Sequence, residues 1–273
     1  MRLLTVLLTA VLCASSAQAH DTWFERRATS TPTRPELILG TGNQFPVIEF
    51  PNGIEHVVSS GCRAAGSQRA PLKDVDASSP HLVLGPSVPL NEPGAQGVRI
   101  SCWAQLQPFE VSFDDELVER YFKEVQPSEA VRQAWAVQNA RGVRWRERYV
   151  KHARMEWFAR ADRSDPAAAL PTPMDMDALL LQPLSAPRVG DELSFQVLRL
   201  GQPLAHFSVE FRHASSRFGV WRRTDEQGRV SLRAPLAGRW LLRGIELTPP
   251  ASDEQPWEGQ FLTLAFDVMA PLK

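Results

Sequence analysis

The chain has 273 residues, of which 43% are hydrophobic and 22% are charged, and its formal net charge at pH 7 is −1. This composition is typical of a folded globular protein and excludes a chain that is disordered throughout. A net charge near zero gives no reason to expect a nucleic-acid partner, and none is predicted. The 22 prolines outnumber the 16 glycines and are scattered through the sequence, which favours many short structural elements.

Residues 1–19 have the pattern of a secretory signal peptide. Arg2 supplies a positive charge, an apolar stretch follows it, and Ala17 and Ala19 form a small-residue cleavage site. The apolar stretch is shorter than the ~20 residues that a permanent membrane-spanning helix needs, and no second apolar segment of that length follows. We therefore expect cleavage after Ala19 and a periplasmic or secreted protein with no membrane span after signal cleavage.

Cleavage at that position makes His20 the first residue of the mature protein. Its α-amine and its imidazole Nδ1 can then close a chelate ring on one metal ion, because both nitrogens lose their protons to a metal near neutral pH. Imidazole and amine nitrogens suit Cu, Ni and Zn. The alternative is that His20 only begins a strand, since almost any residue can follow such a cleavage site.

Residues 20–112 predict an N-terminal β domain. Short apolar stretches alternate with Gly, Pro, Asn and Ser, which is typical of short strands joined by turns. Cys62 and Cys102 lie in this segment, and an even pair of cysteines in an oxidising compartment favours a structural disulfide between two β-elements. The alternative is a thiol pair used for redox or metal chemistry, although the spacing is unlike Cys-x-x-Cys.

Residues 113–165 predict a helical and basic-aromatic segment. A helix is expected from Asp114, where acidic residues precede apolar residues at helical spacing, and a second helix follows with Ser128 as its N-cap. Residues 143–160 then interleave arginine and lysine with aromatic residues. This run indicates either an anion site built from guanidinium groups or a strand or helix with one solvated face.

Residues 166–187, rich in Ala, Pro and Met, predict a linker, and residues 188–273 predict a C-terminal β-sandwich of immunoglobulin-like type. Within that last third, residues 190–198 and 207–211 alternate between apolar and polar side chains, and turn signals separate the runs. The predicted fold class is therefore mainly β, with two β-sandwich (immunoglobulin-like) domains and a helical segment inserted between them.

Several short motifs occur in an order that resembles one family of secreted bacterial proteins. They are His20-Asp-Thr-Trp-Phe24, Arg148-Tyr-Val-Lys-His-Ala-Arg154, Gly201-Gln-Pro-Leu204, Thr224-Asp-Glu-Gln-Gly-Arg229, Gly238-Arg-Trp-Leu-Leu242, and Trp257 before Leu262-Thr-Leu-Ala-Phe266. The family has no known function and carries a nickel-uptake (NikM-like) label. The resemblance covers nearly the whole mature chain and implies that a histidine near the free N-terminus binds the metal, a role that only His20 can take here.

Four further residues are candidate metal ligands beside His20. The family often carries a histidine on the strand after the Gly-x-Trp-Leu-Leu motif, where this chain has Glu246, whose oxygens suit soft or borderline ions less well. Asp21 is adjacent to His20, His206 alternates with apolar residues, and His152 lies in a motif that matches the family. Neither of these two histidines has His-x-His or helical i, i+4 spacing, which favours an ordinary surface or hydrogen-bonded role for each.

The sequence contains no Gly-x-Ser-x-Gly elbow, no His-Glu-x-x-His pair and no phosphate-binding glycine loop, so no enzymatic activity is predicted. Two functions remain. The first is a periplasmic accessory protein that binds a transition-metal ion (Ni, Co or Cu) and delivers it to a metal-uptake membrane system. The alternative is a non-catalytic envelope module whose sandwich domains bind a protein or glycan partner.

Overall fold

The computed structural model describes residues 20–64, 69–90, 98–159, 169–181 and 185–271. The predicted signal peptide lies outside the described residues. Short strands dominate the first part of the described chain, as the alternation of apolar stretches and turn residues predicts. In chain order they are β1 (Asp21–Arg26), β2 (Leu37–Gly42), β3 (Phe50–Pro51), β4 (Val57–Ala64), β5 (Leu72–Asp74), β6 (Leu82–Pro86), β7 (Val98–Leu106) and β8 (Phe109–Phe113).

Helices α1 (Asp115–Val125) and α2 (Glu129–Ala140) follow, with the N-caps that the sequence predicts. The Asp114 carboxylate accepts a hydrogen bond from the backbone N–H of Leu117 at 2.8 Å, and the Ser128 hydroxyl caps α2 in the same way. Strands then occupy the rest of the described chain. They are β9 (Trp145–Ala159), β10 (Met176–Leu180), β11 (Glu192–Arg199), β12 (Gln202–Pro203), β13 (Ser208–His213), β14 (Val220–Arg223), β15 (Arg229–Arg233), β16 (Gly238–Thr248) and β17 (Trp257–Val268).

One large sheet runs through the molecule in the order β14-β13-β16-β17-β9-β7-β4, with β8 paired to the first part of β9. Strand β9 is parallel to β17, from Glu147 opposite Trp257 to Glu156 opposite Phe266, and antiparallel to β7. The basic-aromatic run over residues 143–160 is therefore mostly one long strand. Because successive residues of a strand point to opposite faces, this run supplies side chains to both faces of the large sheet.

Smaller sheets cover the two faces of the large sheet. On the first face lies the sheet β1-β2-β6-β5, with β3 also paired to β2, and its Trp23 packs in one core with Ile100 of β7. On the second face lies the sheet β10-β11-β12, with β15 also paired to β11, and its Phe195 contacts Phe211 and Phe266. The mainly β class and the sandwich architecture are thus confirmed, and the sandwiches share the large sheet.

Helices α1 and α2 cover the first face next to the sheet that contains β1. Trp135 of α2 contacts Trp145, whose ring stacks on Trp257 with 4.4 Å between the ring centroids. This packing forms a third apolar core. It also brings the end of α1 beside β16, where the backbone oxygen of Glu124 accepts a hydrogen bond from Arg243 at 3.4 Å.

The segments of the chain are less separate than the sequence predicts. Residues 166–187 are predicted as a linker, yet they contain β10, which is buried and paired with β11. Asp177 of β10 accepts two hydrogen bonds from Arg154 of β9, at 3.0 and 2.9 Å. A short strand that is buried on both faces has no alternation of polar and apolar residues, so its pattern does not mark it as a strand. The large sheet likewise crosses the predicted boundaries at 113 and 188.

Cys62 of β4 and Cys102 of β7 form a disulfide, as the sequence predicts. The two residues lie directly opposite each other in the pairing of β4 with β7, and both are buried. The bond joins positions that are 40 residues apart. Closing a loop of that length stabilises the fold by ~4 kcal/mol in the chain-entropy model.

Candidate functional site

His20 lies immediately before β1. Strands β1 and β3 both pair with β2, and this arrangement places the imidazole 4.8 Å from the ring of Phe50, centroid to centroid. The side chain is half-buried. Within the described parts of the chain, no hydrogen bond or ion pair engages its ring nitrogens. The imidazole is therefore held in place by packing and keeps its nitrogens available for a ligand.

The surroundings of His20 favour its neutral form. Burial lowers the pKa of His20 and the positive charge of Lys151 lowers it further, while the carboxylates of Glu49 and Asp21 oppose this decrease in part. The imidazole is therefore neutral at pH 7. A neutral imidazole carries the lone pair that binds a metal ion.

Asp21 takes part in a buried ion triad on the first face of the large sheet. Its Oδ2 lies 2.6 Å from Nε of Arg243, and Glu210 Oε2 lies 2.9 Å from Nη1 of the same arginine. Burial alone would lower the pKa of Arg243, but Asp21 and Glu210 together raise it above the ordinary value. The Asp21 carboxylate is thus occupied by an arginine and ties β1 to β16.

His152 and Glu246 lie on the second face, away from Asp21. His152 is 1% exposed, its Nδ1 lies 3.0 Å from the backbone oxygen of Phe261, and burial lowers its pKa to about 4. Its Nε2 has no hydrogen-bond partner among the described residues. Glu246 accepts a hydrogen bond from Arg199 at 3.1 Å, and burial raises the pKa of Glu246.

His206 is exposed in the turn before β13, where its Nε2 lies 3.0 Å from Oε1 of Glu226. The structure therefore does not bring the five candidate ligands together. His20 and Asp21 are neighbours in the chain, His152 and Glu246 share the opposite face, and His206 is at a turn. Over the described ranges, no three His, Cys, Asp or Glu side chains form a group that could hold a metal ion.

Two buried charges of β9, Lys151 and Glu147, are not predicted as functional residues from the sequence. The Nζ of Lys151 lies 5.7 Å from the ring centroid of Tyr149, and burial lowers the pKa of Lys151 to about 8. Burial raises the pKa of Glu147 to about 7, although hydrogen bonds from Tyr121 and Trp145 oppose this increase. The alternation of the basic-aromatic run is the one signal that could have placed both residues on the same face.

A polar pocket of about 360 Å³ lies beside the His20 region. Two residues that line the pocket also interact with the N-terminal segment: Arg243 pairs with Asp21, and Glu49 influences the pKa of His20. Its lining comes from the loop after β2, the end of α1, the β13–β14 hairpin and β16. The lining side chains include Asn43, Glu49, Glu124, Arg212, Arg217 and Arg243.

The sequence pattern of one family, described as Domain of unknown function (DUF4198), matches residues 17–245. The chain belongs to this family. The DUF4198 match includes His20, Asp21, His152 and His206, whereas Glu246 lies one residue beyond it. Membership of a family of unknown function is thereby confirmed, and the nickel-uptake label remains a prediction.

No curated protein matches this DUF4198 chain. Among solved structures, the D00-D0 domain of Intimin matches with 10% sequence identity over 88% of this chain and 94% of that chain, with a TM-score of 0.20. A TM-score this low establishes neither a shared fold nor a shared function. In the described part of the chain, no helix has the length and apolar character to cross a membrane.

Proposed function

We propose that this protein is a periplasmic accessory that binds one transition-metal ion, Ni, Co or Cu, and delivers it to a metal-uptake membrane system. The observation that carries the proposal is the environment of His20, whose half-buried imidazole has a lowered pKa and no hydrogen bond within the described ranges. Cleavage after Ala19 supplies the α-amine as a second nitrogen ligand. The resemblance of the sequence motifs to a family with a nickel-uptake label makes nickel the first ion to test.

The donor set suits transfer of an ion rather than permanent storage. His20 contributes two nitrogens, and the carboxylate of Glu49 is near enough to influence the pKa of His20. Glu49 accepts a hydrogen bond from Asn43 at 2.5 Å, whereas the carboxylate of Asp21 is held by Arg243. Transition-metal ions take four or more ligands, so an ion bound here keeps positions open for a ligand from the receiving protein.

Positive charge near His20 limits the affinity for a cation. Lys151 carries a proton at pH 7, because its lowered pKa of about 8 is still above that pH. The charge of Arg243 is offset by Asp21 and Glu210. A moderate affinity fits a delivery role, since an ion that is bound very tightly leaves slowly.

Calorimetric titration of the mature protein with Ni²⁺, Co²⁺ and Cu²⁺ tests the proposal, after mass spectrometry has verified that His20 is the first residue. We expect one ion per molecule, and at least ~10-fold weaker binding by His20→Ala. His206→Ala is the matched control, because that imidazole is exposed and paired with Glu226. Equal, weak binding by the wild type and His20→Ala rules out the metal function.

Exposed aromatic residues support the second candidate function, a non-catalytic envelope module that binds a protein or glycan partner. Phe218 is 87% exposed between β13 and β14, and Phe50 is 47% exposed beside His20. Exposed aromatic rings are enriched at binding surfaces. Co-sedimentation with isolated peptidoglycan tests the glycan form of this proposal: Phe218→Ser loses binding if the proposal is right, and the wild type stays in the supernatant if it is wrong.

A further inference from the structure

The polar pocket described above combines charges of both signs, of which the metal proposal uses only the Glu49 carboxylate. Arg217 contributes positive charge to its lining and Glu49 contributes negative charge, whereas Arg212 and Arg243 are paired with carboxylates of the protein. We propose that this pocket binds a small zwitterion, a molecule that carries both a carboxylate and an ammonium group, as a free α-amino acid does. Its volume of about 360 Å³ lies at the lower end of the range for small-molecule sites.

Arg217 supplies the contact to the carboxylate of the ligand. It lies in the hairpin between β13 and β14, and no described residue forms a hydrogen bond or ion pair with its guanidinium. Arg212 next to it donates from Nε to Glu210 at 2.8 Å and from Nη1 to the backbone oxygen of Asn43 at 3.5 Å. A guanidinium presents its donors in one plane that matches a carboxylate. Arg217 can therefore donate two parallel hydrogen bonds to the carboxylate of the ligand.

Glu49 supplies the contact to the ammonium group of the ligand, because its carboxylate lines the pocket and attracts a positively charged donor. Asn43 holds that carboxylate in place. Its Nδ2 donates to Glu49 Oε2 at 2.5 Å, and its backbone N–H donates to the same oxygen at 3.2 Å.

The mixed charge of the lining distinguishes this ligand from a simple ion. Glu49 would repel an inorganic anion such as phosphate, and Arg217 would repel a metal cation. A zwitterion places each of its charges against the opposite charge of the lining. Its carboxylate reaches Arg217 while its ammonium group reaches Glu49.

Calorimetric titration of the mature protein with L-glutamine in metal-free buffer tests the proposal, since a polar side chain suits a polar lining. We expect one molecule to bind. N-acetyl-L-glutamine lacks the ammonium group and L-glutamine α-amide lacks the carboxylate, so each should bind at least ~10-fold more weakly. Arg217→Gln should weaken L-glutamine binding by a similar factor. Arg229→Gln is the matched control, because Arg229 is exposed on β15, which belongs to the sheet on the second face.

Several results would overturn the zwitterion proposal. They are the absence of binding at millimolar L-glutamine, equal binding of either derivative, inorganic phosphate binding as tightly as L-glutamine, or unchanged binding by Arg217→Gln. Because the buffer contains no metal ion, none of these results depends on whether His20 binds a metal.

Discussion

Replacing Arg243 with methionine tests whether the buried ion triad fixes β1 to the large sheet. Arg243 is 2% exposed, and its guanidinium contacts Asp21 at 2.6 Å and Glu210 at 2.9 Å. Methionine fills much of the same space and carries no charge. Glu210 keeps a contact with Arg212 at 2.8 Å, so most of the loss falls on Asp21, which stays buried without its arginine.

Breaking a buried ion pair by removing one partner costs ~3 to 5 kcal/mol. Because Glu210 keeps its ion pair with Arg212, we expect a value at the lower end of that range. The free energy of unfolding of Arg243→Met should therefore decrease by ~3 kcal/mol. Urea unfolding at pH 7 measures this decrease. Arg199→Met is the matched control: its pair with Glu246 at 3.1 Å is about one quarter exposed on each side, and breaking it should cost at most ~1 kcal/mol.

The deficit of Arg243→Met must shrink when Asp21 is replaced as well, if its cause is electrostatic. Without the arginine, the Asp21 carboxylate stays buried with its charge unpaired, which destabilises the fold. Asp21→Asn removes that charge. We therefore expect the double variant Asp21→Asn/Arg243→Met to lose less stability than Arg243→Met alone. An equal deficit in the two variants would refute the electrostatic reasoning and indicate lost packing instead.

Three further predictions concern titration and the disulfide. Burial lowers the pKa of His152 to about 4, so the wild type should lose up to ~3 kcal/mol of stability as the pH falls from the ordinary value of 6.5 to about 4. His152→Asn keeps a donor for the backbone oxygen of Phe261, and urea unfolding should show that it lacks this acid-induced loss. Glu147 gives the wild type a pH dependence of the opposite sign. Burial raises the pKa of Glu147 to about 7, so the wild type should lose up to ~3 kcal/mol of stability as the pH rises from 4.5 to about 7, and Glu147→Gln should lack this loss. A constant difference between this variant and the wild type over that interval would contradict the assignment. Replacing Cys62 and Cys102 with alanine should lower the free energy of unfolding by ~4 kcal/mol, and an unchanged melting temperature on adding a reductant to the wild type would contradict that value.

Local patterns in the sequence account for much of the fold. The caps at Asp114 and Ser128 depend only on the residues that follow them, so each helix start is predictable from a few positions. The pairing of Cys62 with Cys102 follows from their number and the expected compartment. The mainly β class follows from the spacing of apolar runs and turn residues.

The arrangement of the candidate site depends on contacts that are distant in sequence. Alternation along β9 predicts that Lys151 and His152 point to opposite faces, but it cannot show which elements cover each face. The parallel pairing of β9 with β17 and the position of β1 over the large sheet decide that Lys151 lies near His20. The contact of Asp21 with Arg243 joins residues from the two ends of the chain, and no local pattern marks it.

The α-amine and the imidazole of His20 together form the proposed binding site for one ion. The most direct test is calorimetric comparison of the Ni²⁺ affinity of the mature protein with that of a variant that carries the extension Gly-Ser-Gly-Ser before His20. The extension keeps the imidazole and removes the amine from its reach, so the account predicts binding that is at least ~10-fold weaker. Equal Ni²⁺ affinity for the two proteins would contradict the claim.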